Sequence, residues 1–273
     1  ADHFIGTTTG DGLFEAFIGG GGDDKIDGGG GFDRAQYHLD GNISTGLNVQ
    51  LALGIVTGDA DLTGTDTLIS VEAITGSILA DVYDARGFGP GSTNAGSNGT
   101  FNEFEGHAGN DVIHGNGNTR IAFYNAQEGV TVDLANGVVN GGYSVGTDTI
   151  MGGVNAARGS NFADTIIGNG GANVLEGQAG DDRLIGLGGN DKLTGGAGND
   201  TFVFNTANFG ADVITDFGVS GDDAIEFGTS IFADYAAVQA AMTQVGADVL
   251  ITSSEGSILI KNMTVGGLSA GDF

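Results

Sequence analysis

A nine-residue period limits what this chain can fold into. Residues 159–203 divide without a gap into GSNFADTII, GNGGANVLE, GQAGDDRLI, GLGGNDKLT and GGAGNDTFV. Position six carries Asp164, Asn173, Asp182, Asp191 and Asp200, and position eight carries Ile166, Leu175, Leu184, Leu193 and Phe202. A short fixed period means stacked repeats, each burying its apolar residue against its neighbours. The frame recurs upstream. GGGGDDKID (19–27) and GGGGFDRAQ (28–36) place Asp24 and Asp33 at position six, and a weaker unit ending FEAFI (14–18) places Glu15 there. GSILADVYD (76–84) contributes Asp81 and GHAGNDVIH (106–114) contributes Asp111. In GNGNTRIAF (115–123), Arg120 stands where the acid should be, which argues against a cation at that turn.

The columns have a physical reading. Glycine tolerates positive φ and close backbone approach, so positions one to four form a tight turn with inward carbonyls. The aspartate adds a hard anionic oxygen. The last three residues, with one apolar side chain between polar ones, suit a very short strand. Two units then make one 18-residue coil, with Asp164, Asp182 and Asp200 on one edge and Asn173 and Asp191 on the other. Carboxylates stacked at this spacing repel unless a cation sits between them. Calcium accepts six to eight oxygens in a flexible geometry, whereas magnesium demands a stricter octahedron. One calcium per pair of stacked turns gives about three for 159–203. The plainer alternative is a metal-free glycine-rich β-helix.

The pattern G-G-x-G-x-D-x-U-x resembles the repeat-in-toxin (RTX, hemolysin-type) calcium-binding nonapeptide. The resemblance implies an all-β fold, a parallel β-roll or β-helix solenoid with stacked calcium-binding turns and a small C-terminal cap. It also implies several Ca2+ ions, more of them upstream of 159–203. The ligands it implies are the position-six side chains, with Asp24, Asp33, Asp81 and Asp111 joining those of 159–203. Turn carbonyls would complete the shells, drawn from Gly177, Ala179, Gly186, Gly188, Gly195, Gly196, Ala197 and Gly198. Members of that family leave Gram-negative bacteria by type I secretion, so the resemblance implies the type I apparatus as a partner during export.

Two longer inserts resemble each other. Residues 34–58 lead to GTDTLISVEAITGS (64–77), and residues 120–142 lead to GTDTIMGGVNAARGS (146–160). Both read as wider coils continuing the stack, with 86–100 as a protruding loop. The expected organisation is a roll over 1–203, with nonapeptide runs 10–36, 76–84, 97–123 and 159–203 and wider-coil inserts 37–75 and 124–158. Residues 204–273 follow as a cap with a segment like a type I secretion signal. In FADYAAVQAAMTQV (232–245), Tyr235, Val238, Met242 and Val245 fall at helical spacing behind Asp234, an N-cap. The strands ADVLITS and SILIKNM come next. Asp216 and Asp223 are the last expected calcium ligands.

Composition narrows the partners. A formal charge of -27 disfavours nucleic acid and anionic membranes and calls for counter-cations. There is no cysteine to form a disulfide, and no apolar run long enough to span a bilayer. The start, ADHFIGTTTG, has no Met, basic stretch or apolar run, so it reads as a cut point and not as a signal peptide. No H-E-x-x-H, G-x-S-x-G or P-loop is present, and of the four histidines, His3, His38, His107 and His114, the last two read as surface residues. A non-enzyme is expected: a secreted, extracellular calcium-binding protein that couples type I export to folding. The alternatives are a calcium-dependent surface protein (S-layer, matrix component or adhesin) and the non-catalytic C-terminal module of a secreted protease or lipase. Self-assembly or a cell-surface polysaccharide would supply the partner of a surface protein.

Overall fold

The computed structural model describes residues 1–7, 14–38, 43–59, 63–96 and 98–273. The first residues of the expected runs 10–36 and 97–123, and parts of the insert 37–75, lie outside them. The chain forms two compact units, Ala1–Asn125 with Gly137–Val154, and Ala126–Asn136 with Asn155–Phe273.

In the second unit the nonapeptides become alternate strands of two parallel sheets. One sheet runs Thr131–Asp133, Thr165–Ile167, Arg183–Ile185, Thr201–Phe204 and Ala224–Phe227. The other runs Val154–Arg158, Val174–Ala179, Lys192–Ala197, Gly210–Ile214 and Gly256–Ile260, then turns antiparallel through Asp248–Thr252 and Met242–Val245. The 18-residue coil sets the register: Ile166 pairs with Leu184, Leu184 with Phe202, and Leu175 with Leu193. Each of these side chains is 0% exposed. A three-residue strand puts one side chain inward, so the position-eight column is the core.

The first unit repeats this plan with two departures from parallel stacking. Its larger sheet runs His3–Ile5, Lys25–Asp27, Thr65–Ile69, Ile55–Thr57, Asn48–Gln50, Val82–Asp84, Val112–His114, Thr147–Ile150 and Val138–Asn140. Ile55–Thr57 is antiparallel to both neighbours, and Val138–Asn140 is antiparallel to Thr147–Ile150. The inserts thus double back inside the sheet instead of only widening a coil. The smaller sheet runs Phe14–Phe17, Phe32–Gln36, Ala73–Thr75, Asn102–Glu105 and Thr119–Ala122. The stacked rings of Tyr83 and Phe104, 4.6 Å apart, join the two sheets.

Three local expectations change. The helix spans Tyr235–Ala241, with Asp234 accepting the Ala237 N–H as its N-cap, and Met242–Val245 is a strand. Thr243 and Val245 are β-branched, and a hairpin through Gly246 at φ 63° pairs them with Leu250 and Asp248. The stretch 86–100 does not protrude as a whole: among its described residues Phe88 is 3% exposed, and Asn94 is fully buried with its side chain bonded to both N–H and C=O of Val71. His107 is not a free surface residue, because its half-buried ring stacks on His38 at 4.5 Å. Among the described residues no helix is long and apolar enough to cross a membrane.

Phe202 lies between Leu184 and Ile225 in the core column. Phe202→Ala should cost about 3–5 kcal/mol in denaturant unfolding at saturating calcium. A loss below about 1 kcal/mol would mean that the column is not the core.

Candidate metal centres

The position-six acids form hydrogen-bonded ladders between coils. The Asp164 N–H donates to Asp182 Oδ1 at 2.8 Å, Asp182 to Asp200 at 2.9 Å, and Asp200 to Asp223 at 2.9 Å. On the other edge Asn173 donates to Asp191 and Asp191 to Asp212, both at 2.8 Å. In the first unit, Asp24 donates to Asp66 at 2.8 Å, Glu15 to Asp33 at 3.2 Å, and Asp33 to Glu72 at 3.0 Å. A third ladder there links Leu47, Asp81, Asp111 and Asp148 over 2.7–3.0 Å.

Sequence reasoning missed Asp66, Asp148, Asp212 and Glu72. The first three have a legible signal. Each lies two residues after a left-handed glycine (Gly64, Gly146 and Gly210), as position six lies two after position four. Glu72 has no such mark.

A second set of bonds runs the opposite way. Position-five side chains of Asp23, Asn110, Asp181, Asn190 and Asn199 accept N–H groups of the following coil, from Thr65, Thr147, Asn199, Ala211 and Asp222. Position six therefore reaches back along the stack and position five reaches forward.

The turns fall into two classes, set by the backbone at position two. In the closed class that residue is not left-handed, and its N–H meets the position-six side chain. Ser77 closes on Asp81 (2.7 Å), Ser160 on Asp164 (2.6 Å) and Asn169 on Asn173 (2.7 Å). The Ser77 and Ser160 hydroxyls add a second bond to the same carboxylates. In the open class position two is left-handed: Gly20, Gly29, His107, Gln178, Leu187 and Gly196, with φ from 62° to 106°. The acids of those six turns, Asp24, Asp33, Asp111, Asp182, Asp191 and Asp200, each retain a buried Oδ2 with no hydrogen-bond partner. Left-handed backbone is costly for Gln178, Leu187 and His107, so the open shape is imposed by its surroundings.

Glycine at position one is required by space. A Cβ on Gly177 would overlap Asp182 Oδ2 and the Gly195 carbonyl oxygen, and Gly186 and Gly195 face Asp191 and Asp200 in the same way. Of the other expected ligands, Ala197 accepts the Gly180 N–H at 2.8 Å, and Gly188 and Gly198 donate N–H bonds to Asn169 and Ser220. Ala179 lies opposite Ala197 in the strand ladder. Asp216 takes the N–H groups of Gly195 and Gly196, and Asp223 takes those of Asp200 and Gly218. Asn173 donates its amide to Asn155 and contributes no anionic oxygen.

Burial and stacking raise these carboxyls. Burial first, then Asp164, Asp200 and Asp181, pushes Asp182 up to about 8. Burial with Asp148 and Asp81 pushes Asp111 up to about 9. Burial pushes Asp191 and Asp200 up to about 6. Among the described residues no three His, Cys, Asp or Glu side chains converge on one point. An ion here would therefore draw on two carboxylates and backbone carbonyls, an all-oxygen set that suits calcium. Orphaned buried carboxylate oxygens, with the Gly195 carbonyl beside that of Asp182, fit that ion.

A carboxyl raised in the folded state binds more protons folded than unfolded. Its contribution is fully present below the ordinary carboxyl value of about 4 and is lost as pH rises through the folded value. Metal-free protein should therefore be most stable near pH 4–5 and lose stability as pH rises through the values of about 6 to 9 given above. Calcium should release protons and flatten that dependence. Thermal melts with chelator and with calcium check this, and a metal-free midpoint that climbs with pH would contradict it.

The family comparison matches the RTX calcium-binding nonapeptide repeat (4 copies) at residues 17–35, 98–119, 151–184, 158–193, 167–202 and 177–214. No curated protein matches the sequence. Among solved structures, an extracellular lipase from Serratia marcescens aligns over 100% of this chain at 15% identity and a TM-score of 0.30. The chain spans 39% of that lipase's length. The chain thus carries RTX calcium-binding nonapeptide repeats, stacked as parallel coils in both of its units.

Proposed function

We propose that this chain is a secreted, non-catalytic module that folds on binding extracellular calcium, with Asp24, Asp33, Asp111, Asp182, Asp191 and Asp200 as its carboxylate ligands. The observation that carries this reading is the set of six buried oxygens without a hydrogen-bond partner, each in a left-handed turn. Without a cation, those ladders hold like charges out of water, and the column of single apolar side chains is thin compensation. In low intracellular calcium the chain stays unfolded and fit for type I export. Outside, a site formed only in the folded state adds about 2.7 kcal/mol when free calcium is a hundredfold above Kd. Three such sites, roughly 8 kcal/mol, match the whole stability of an ordinary domain. The closed turns at Ser77, Ser160 and Asn169 supply protein donors in place of an ion, so they need no ion of their own once the stack has folded.

Size-exclusion chromatography with light scattering, from chelator to millimolar calcium, tests the reading. An expanded monomer that contracts on adding calcium supports it. Growth into oligomers favours a calcium-assembled surface protein, and an unchanged elution volume overturns the calcium dependence. Within the titration, Asp182→Ala should weaken calcium-induced folding by tenfold or more in midpoint. Asp164→Ala, which removes a carboxylate already filled by protein donors, should shift the midpoint much less. Equal shifts would count against the division into open and closed turns.

A further inference from the structure

All four histidines lie in the first unit, and the second unit has none. Two of them meet face to face: the rings of His38 and His107 have centroids 4.5 Å apart and planes 8° from parallel. His38 follows the strand Phe32–Gln36, and His107 sits in the turn between Asn102–Glu105 and Val112–His114. The stack therefore fastens the chain leaving one strand to a turn far along the sequence. Each half-buried ring keeps one buried nitrogen without a hydrogen-bond partner, Nδ1 of His38 and Nε2 of His107.

A neutral imidazole tolerates this arrangement, because its single N–H can sit on the other nitrogen. An imidazolium does not, since both nitrogens then carry N–H and one of them is buried with no acceptor. A second positive charge would face the first across the stack, and the Arg34 guanidinium acts on both rings. Arg34 is itself paired with Glu103 and Glu105, and Arg120 and the Tyr124 hydroxyl join Glu103. On its own stretch His107 has Glu105 before it and Asp111 after it, and both carboxylates bond other groups: Glu105 takes the backbone and side-chain N–H of Asn125, and Asp111 takes the Asp81 N–H. Burial first, then His38 and Arg34, pushes His107 down to about 4, and burial with Arg34 lowers His38.

We propose that His38 and His107 form an acid-sensitive clasp, closed while both imidazoles are neutral and opened by protonation of either, so that acid loosens the first unit at 106–109 and at the end of Phe32–Gln36. A histidine whose folded value lies below the unfolded value of about 6.5 binds fewer protons folded than unfolded. It costs no stability well above about 6.5, and it costs steadily more as pH falls toward the folded value of about 4. Glu105, which burial raises to about 7, gains a proton over the same range with the opposite sign. The clasp stands independently of the calcium reading.

NMR titration of the full chain in saturating calcium reads the rings directly. His38 and His107 should bind protons at least about tenfold more weakly than an ordinary histidine, and ring signals that both titrate near 6.5 would overturn the proposal. Hydrogen exchange, corrected for the intrinsic effect of pH, follows the opening. From pH 7 to about 4.5, protection at 32–38 and 102–109 should fall about tenfold further than in the histidine-free second unit. An equal fall in both units would count against the clasp. The double variant His38→Phe with His107→Asn keeps a ring at the first position and, at the second, a residue that accepts the left-handed backbone of φ 62°. It should keep protection at pH 7 and lose the extra fall in the first unit. A double variant that loosens with acid as the wild type does would overturn the clasp, and if it fails to fold, the wild-type titration decides alone.

Discussion

A buried carboxylate with one oxygen tied to the preceding coil and the other oxygen unmatched is the constraint on which this structure turns. The tie fixes where each coil sits, because Asp164, Asp182, Asp200 and Asp223 succeed one another through backbone N–H bonds. The unmatched oxygen makes the same arrangement costly in the absence of positive charge. Glycine at position one makes room for that oxygen, and left-handed backbone at position two withdraws the N–H that fills it in the closed turns. On the proposed function, stability and ion binding are one property of the turn.

The first unit also neutralises buried acids without metal. Arg34 pairs with Glu103 and Glu105, Arg120 pairs with Glu103, and the Tyr124 hydroxyl joins Arg34 and Glu103. The Arg34 guanidinium also lies over the Tyr124 ring, 4.8 Å from its centroid. Arg120 occupies the place that position six gives to an acid elsewhere, so the protein brings its own cation to that coil. A buried pair of this kind is fixed in geometry and insensitive to calcium, and breaking one partner strands the other. Turns with unmatched carboxylate oxygens thus stand beside coils whose acids are paired within the protein.

The two columns that define the repeat were legible in the sequence because they are local: nine residues carry the turn, the acid and the inward side chain. What crosses between distant segments was not. Asp66, Asp148 and Asp212 accept from backbone 42, 37 and 21 residues away, though the G-x-D spacing shared with the repeats marks them in retrospect. Glu72 carries no mark, and its role depends on the burial that Asn94 and Gly96 provide from a stretch whose glycines and serines resemble any exposed loop. The helix after Asp234 was legible at its start, where a cap is a local device, and not at its end. There, pairing with Asp248–Thr252 overrode helical spacing. The division into open and closed turns was also hidden, since it depends on the backbone angle at position two and only serine leaves a trace of it.

A periodic chain faces an ambiguity that ordinary folds escape: moving one coil by a whole repeat leaves every apolar residue facing inward. The opposed reach of positions five and six bears on this. Position five is Asp or Asn at 23, 110, 181, 190 and 199, but Phe14, Phe32, Ala80, Thr119, Ala163 and Ala172 elsewhere. A displaced coil would bring an alanine or phenylalanine to a place where a backbone N–H needs a hook. The imperfections of the repeat thus work as addresses, telling each coil which neighbour is its own.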